Sequence, residues 1–369
     1  MSRLAGLVAA GQSIWVDDLS RDLVASGELA RRVELQSVTG VTSNPTIFAG
    51  AIIGGAAYRD QLLEMARQGA STAEIYAALI TADIQGACDV LRPAWELFGR
   101  TDGFVSVEVS PDLAHQVEET VAEVREWVKR IDRPNLLVKV PATAEGVPAI
   151  TRLIGEGISI NVTLIFSLER YRQVMEAYVL GLEALRDLGG YVGSVNSVAS
   201  FFVSRFDTET DRRLDAIGNP RALQMRGMAA VANARAAYGL FQEVFRGERW
   251  DALAQAGANL QRPLWASTST KNPAYRDTMY VDALVAADTV NTMPRSTLEA
   301  YHDHGPEIPD PFSESDIDSA RLELDALGDV GIDYADVTAT LEREGVQKFA
   351  DSFHELIAAI DEARQRLGA

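Results

Sequence analysis

The stretch LLVKVPAT at residues 136–143 decides the fold, because it sets a lysine inside a run that otherwise reads as a buried strand. Side chains of a strand alternate between its two faces. Leu136, Val138 and Val140 therefore share one face, suited to covering helices, while Leu137 and Lys139 share the other. Working outward along the chain, the same split recurs. In FVSVEV (104–109), Val105, Val107 and Val109 oppose Phe104, Ser106 and Glu108. In ISINVT (158–163), Ile158, Ile160 and Val162 oppose Ser159, Asn161 and Thr163. The segment SIWVD (13–17) follows suit with Ile14 and Val16 outward, which leaves Trp15 and Asp17 on the inner side.

Four further runs complete a set of eight strand candidates: GVTSN (40–44), SVASFFV (197–203), PLWAST (263–268) and DTVNTM (288–293). Amphipathic segments separate them, among them 71–98, opened by the capping-box pair Ser71 and Glu74, and 167–187. This rhythm predicts a closed (β/α)8 TIM barrel. A doubly wound open sheet would carry a glycine-rich turn after its first strand, and WVDDLSRD has no glycine. Extra helical material is expected at 206–262 and, beyond the loop GPEIPDPF (305–312), as about three helices over 313–369. The last of these shows an apolar stripe of Val346, Phe349, Phe353, Leu356, Ile357, Ile360 and Leu367. Residues 1–369 thus read as one barrel domain with helical additions.

Composition narrows the function classes. With 53 acidic and 34 basic side chains in 369 residues, the net charge is −19. Nucleic acid and anionic membranes call for a basic surface, so neither is an expected partner. The single cysteine, Cys88, has no intrachain partner and suits a reducing cytoplasm. The apolar run near the N-terminus is short and is followed at once by a strand pattern, which favours a folded start over a signal peptide. No stretch has the roughly 20 apolar residues of a membrane span. His302-Asp303-His304 lies in a Gly/Pro-rich context with no further ligands in register and reads as a solvated turn, so no metal is expected. GAIIGGAAYRD (50–60) lacks phosphate-loop spacing and reads as a plain loop.

Barrel interiors are normally filled with branched apolar side chains, so Asp17, Glu108, Lys139, Asn161 and Thr163 would each cost free energy there unless they form a connected site. A structural ion pair of Lys139 with Glu108 or Asp17 would also fill the barrel mouth. Taken together, at corresponding late strand positions, the five favour an active site. A neutral lysine amine attacks a carbonyl to give an imine, and the protonated imine accepts electrons as a neighbouring C–C bond breaks. Desolvation favours the neutral amine and nearby carboxylates favour the ammonium, so the two influences oppose each other. The carboxylates can move the proton between substrate hydroxyl and carbonyl and steer the water of imine formation.

The motifs WVDDLSRD, GVTSNPTIF, VSVEVSP, LLVKVPAT, ISINVTLIFS, SVASFFVSRFD and LWASTSTK, spread over residues 13–300, resemble those of the transaldolase family, and the length is similar to its actinobacterial type. The resemblance implies a cofactor-independent barrel that carries a dihydroxyacetone unit between sugar phosphates in the pentose phosphate pathway. It implies Lys139 as the Schiff-base lysine and Asp17 as the general acid/base. Glu108 and Thr163 would position the catalytic water. Asn44 and Asn161, aided by Ser200, would hold the dihydroxyacetone hydroxyls. Arg205 is similar to the family's phosphate arginine, and Ser267, Thr268, Ser269 and Lys271 follow the seventh strand, where barrels commonly bind phosphate. Many transaldolases have a second arginine where this chain has Lys271, a point charge without a bidentate fork. The phosphate ligands among those four therefore stay open.

Fructose-6-phosphate aldolases share the barrel and lysine but release free dihydroxyacetone. The resemblance distinguishes them by Gln and Tyr where this chain has Glu108 and Phe202, which points to the transferase. A non-catalytic sugar-phosphate-binding barrel is the alternative from another class. Monomer and homodimer are both compatible with the sequence.

Overall fold

The computed structural model describes residues 3–368. Its centre is a closed barrel of eight parallel strands in sequential order. They are β1 (Gln12–Asp17), β2 (Val38–Thr42), β3 (Val105–Glu108), β4 (Leu136–Pro141), β5 (Ile160–Ile165), β6 (Ser197–Phe202), β7 (Gln261–Ala266) and β8 (Thr289–Met293). Parallel neighbours need long crossovers, and helices supply them around the outside. All eight expected strands form.

Two strands begin and end two residues earlier than their sequence patterns indicate. At β2, Ser43 leaves the ladder and donates its hydroxyl to Ser106 O at 2.7 Å, while Asn44 caps the helix Pro45–Ile52. At β7, Ser267 takes a left-handed φ of 57°, which ends the strand, and the buried Gln261 opens it by donating to Ser197 Oγ.

Register carries the parity pattern across strands. Glu108 pairs with Lys139, and Lys139 pairs with Asn161, so three inner polar residues stand abreast on β3, β4 and β5. Asp17 pairs with Thr42 across β1 and β2. Toward the strand starts the interior is closed differently. Asp102 accepts from Trp15 Nε1 at 2.8 Å and Thr39 Oγ1 at 2.9 Å and also binds Ser13, which in turn accepts from Arg262 at 2.7 Å. Trp15 fills this layer so tightly that a Cβ on Gly40 would lie 2.4 Å from the indole carbons.

The helices 71–98 and 167–187 expected from sequence appear as Thr72–Leu97, with the Ser71/Glu74 capping box formed, and Leu168–Asp187, capped by Ser167. The N-terminal apolar run forms the helix Arg3–Ala9 with Leu4 and Leu7 buried. The 206–262 stretch holds the helices Ser204–Ile217, Pro220–Gln224, Ala229–Val244 and Glu248–Gln255. The tail differs from expectation: two helices, Glu314–Asp329 and Tyr334–Gly368, replace the three. The second runs unbroken through Gly345, where a Cβ would approach Leu164 Cδ2 to 3.0 Å, so glycine there permits close packing. Of its expected stripe, Phe349, Leu356 and Ile360 are buried, Val346, Phe353 and Ile357 are half-buried, and the Leu367 side chain lies outside the described residues.

Two loop expectations also change. His302 to His304 form the last turn of the helix Arg295–His304, and His304 binds Asp277 and Asp303. Residues 50–60 are mostly helical, split between Pro45–Ile52 and Ala56–Arg67. Among the described residues, no helix is long and apolar enough to cross a membrane.

Candidate active site

A cavity of about 300 Å³ opens at the carboxyl ends of the strands. Lys139 reaches its floor from β4, with Asp17 from β1 and Thr163 from β5 beside it. Lys139 Nζ donates to Ser43 O at 3.1 Å and lies 3.7 Å from Glu108 Oε2. That separation is too long for a hydrogen bond. Glu108 Oε2 and the Thr163 hydroxyl are both buried and lack any hydrogen-bond partner. Buried polar atoms are rarely left so; Thr163 in the cavity lining and Glu108 behind Lys139 each have capacity for a water or a substrate atom.

Burial sets the protonation of the acids. Removal from water raises Glu108 to about 7, against the opposing attraction of Lys139 and with help from the negative Asp17. Desolvation likewise raises Asp17 above its ordinary value, opposed by Lys139 and by the Thr42 hydroxyl, which donates to Asp17 Oδ1 at 2.6 Å. Thr292 lies 2.6 Å from Thr42, so β8 braces β1 through β2. Glu108, lifted to about 7 beside a lysine, is placed to exchange protons near neutral pH, and Asp17 is shifted in the same direction.

Toward the mouth the wall turns cationic. Arg205, in the first turn of the helix Ser204–Ile217, sets its guanidinium 4.9 Å from the Phe202 ring centroid and 5.6 Å from that of Phe349. Such stacking orients a cation while leaving its N–H groups free. Desolvation lowers the pKa of Arg205, with Glu108 and Asp17 acting against that change. Ser267, Ser269 and Lys271 follow β7 in the same wall, and Lys271 donates to Ser269 Oγ at 2.6 Å. Ser267 is locked to the helix start by its contact with Ser204 Oγ at 2.9 Å and by accepting Ser204 N–H.

The structure brings most of the expected residues together and separates three. Asn44 and Ser200 line the cavity, although the Asn44 carbonyl oxygen already caps the helix Pro45–Ile52 through Ile47 N. Asn161 lies beneath the wall, donating to Ser106 Oγ and accepting from Ser200 Oγ, so it supports Ser200. Thr268 turns away and donates to Asn291 Oδ1 at 3.0 Å, because the left-handed Ser267 reverses the strand alternation there. Glu108 is outside the wall but adjoins it through Lys139.

Among the wall residues not anticipated from sequence, Thr42, Thr292, Lys348 and Phe349 bear on the site. Thr42 and Thr292 have inner-face parity on β2 and β8 and could have been found by splitting those strands as the others were split. Lys348 and Phe349 come from the final helix. Their signal is the lysine count: the chain has only Lys129, Lys139, Lys271 and Lys348.

The family model for transaldolase/fructose-6-phosphate aldolase matches residues 14–360. The chain is 51% identical to a transaldolase of Parafrankia sp. (strain EAN1pec) over 366 residues, 99% of this chain and 98% of the relative. It is 53% identical to one from Acidothermus cellulolyticus over 363 residues, covering 98% and 97% of the two chains. With a transaldolase of Mycolicibacterium paratuberculosis it shares 51% identity over 367 residues, 99% and 97% of the two. A barrel with a lysine among acids at its floor, matched along nearly its whole length, belongs to the transaldolase/fructose-6-phosphate aldolase family.

Proposed function

We propose that the chain is a transaldolase that moves a dihydroxyacetone unit from sedoheptulose 7-phosphate to glyceraldehyde 3-phosphate, giving erythrose 4-phosphate and fructose 6-phosphate, through an imine on Lys139. The observation that carries this reading is Lys139 Nζ at the cavity floor, 3.7 Å from Glu108, with Asp17 in the same floor.

The amine attacks the ketose carbonyl carbon, water leaves, and a protonated imine remains. Asp17 takes the proton of the hydroxyl two carbons away, the C–C bond between breaks, and its electron pair moves toward the imine nitrogen. The aldose phosphate departs and the acceptor aldehyde takes its place. Bond formation then reverses these steps, with Asp17 returning its proton to the new hydroxyl. Glu108 and Thr163 hold the water that adds to the imine carbon and frees Lys139. The two orphaned oxygens of Glu108 and Thr163 support that assignment. Asn44 and Ser200 bind the hydroxyls of the three-carbon unit, with Asn161 behind Ser200, and Arg205, Ser267, Ser269 and Lys271 bind phosphate.

We also read residues 1–369 as one domain, since the final helix contributes Lys348 and Phe349 to the wall. We infer cytoplasmic residence from Cys88, free and buried. Supplying fructose 6-phosphate with and without erythrose 4-phosphate tests the transfer: sedoheptulose 7-phosphate forms only with the acceptor. Free dihydroxyacetone released without acceptor at a comparable rate would instead make the chain an aldolase.

A further inference from the structure

The chain's basic side chains are very unevenly chosen. Of 34 Lys and Arg, four are lysine, which leaves 34 − 4 = 30 arginines. Three of the four lysines, Lys139, Lys271 and Lys348, line one cavity, and the fourth, Lys129, is exposed in the last turn of the helix Val117–Ile131. Among the described residues, every ion pair except Lys139–Glu108 uses Arg or His as its cation. Surface pairing is thus left to arginine, while lysine is kept for the cavity.

Lys348 belongs to a group of three cations, with Arg205 and Lys271, for which no carboxylate lies within ion-pair distance among the described residues. After desolvation, the positive charge of Lys348 and then that of Arg205 act to lower the pKa of Lys271, with Asp17 acting against them, so both cations stand close enough to Lys271 to repel it. In a chain of net charge −19, three cations without an ion-pair partner converge on one mouth, balanced in part by Asp17 and Glu108 below, and an anion joining them would relieve their mutual repulsion. Phe349 fixes the placement. It is buried, and its ring faces the Arg205 guanidinium, so the neighbouring residue on the helix is carried to the same mouth.

We propose that Lys348 is a further substrate-binding residue, delivered by the final helix as the third cation of the phosphate subsite. This deepens, and rests on, the reading of the cavity as a sugar-phosphate site. A phosphate monoester presents three acceptor oxygens and a charge of about −1.5 to −2. Arg205 supplies an oriented fork, while Lys271 and Lys348 are point charges, so two lysines on different elements can approach oxygens that one fork leaves unmet. The final helix is then part of the specificity for phosphorylated substrates.

Inorganic phosphate is the direct probe, since its binding needs no chemistry at Lys139. Titration calorimetry on the full chain should find phosphate affinity about tenfold weaker in Lys348→Met, largely restored in Lys348→Arg and unchanged in Lys129→Met. The kcat/KM ratio for glyceraldehyde 3-phosphate over unphosphorylated glyceraldehyde should fall by about tenfold in Lys348→Met. Phosphate affinity within twofold of the parent in Lys348→Met, at an unchanged melting temperature, overturns the proposal. So does an equal loss with both aldehydes. If phosphate binding depends on Lys348 but no sugar transfer occurs, the transaldolase reading fails and the role of Lys348 stands. If transfer proceeds while phosphate binding is indifferent to Lys348, that role fails and the transaldolase reading stands.

Discussion

Glu108 shows how one buried side chain connects fold to rate. Desolvation lifts it to about 7, so the carboxylate proposed to handle the water is lost as pH falls through that value. The kcat/KM for transfer should therefore decline on the acid side with a limb near 7. Glu108→Gln should remove that limb and reduce transfer by about 10²-fold or more, the range of general base catalysis. A pH profile whose acid limb survives in Glu108→Gln would assign the limb elsewhere. The same lift has a consequence for stability. Neutral Glu108 supports the fold fully below its ordinary 4.5, and that support is lost as pH rises through about 7. At this scale, parity made Lys139, Glu108 and Thr163 legible because strand alternation is a local property. It also set Asn161 inward, where the structure has it, but parity does not tell whether an inward amide meets the cavity or, as here, bonds Ser106 and Ser200 behind the wall; Thr268 was assigned by its place after the seventh strand, and the left-handed backbone at Ser267 turns it away.

The strands and the final helix set those residues in place by different devices. Trp15 on β1 fills the lower barrel only because Gly40 on β2 has no side chain. Gly40→Val should force the indole off its site and cost about 2–3 kcal/mol, read as a lowered denaturant midpoint. A midpoint shift under about 0.5 kcal/mol would mean the layer relaxes freely. Near the top, Leu164 adopts φ 59° and the β5–β6 register shifts between Val162 and Ile165, directly after Thr163. Such a bulge re-aims side chains beside a site. Gly345 lets the final helix approach this point, within reach of both Leu164 and Arg205. The eight strands were legible as short apolar-rich runs between amphipathic segments, and β1, β3, β4 and β5 also by an apolar outer face. The tail was not, because a glycine inside a helical pattern reads as a stop when the packing that requires it is unseen. Lys348 stayed hidden for a related reason: helix periodicity separates buried from exposed positions but does not indicate which exposed position overhangs a cavity.

Across the whole molecule, the two ends of the barrel divide stability from chemistry. Asp102 gathers Trp15, Thr39 and Ser13 at the strand starts, with Arg262 beyond. Asp102→Ala would leave those donors unpaired in the interior and should cost about 3 kcal/mol of unfolding free energy, with kcat little changed at temperatures where the variant is folded. A large loss of kcat in the folded variant would contradict that division. At the other end, an acidic envelope of net charge −19 surrounds a small cationic mouth and, below it, one lysine among acids. In the proposed reaction, catalysis depends on what that lysine does. Incubating the chain with fructose 6-phosphate, reducing with borohydride and mapping the peptides measures it directly. The result predicted is a reduced three-carbon dihydroxyacetone adduct on Lys139 and on no other lysine. Transfer activity with Lys139 left unmodified, or an adduct confined to another residue, would contradict the Schiff-base role of Lys139.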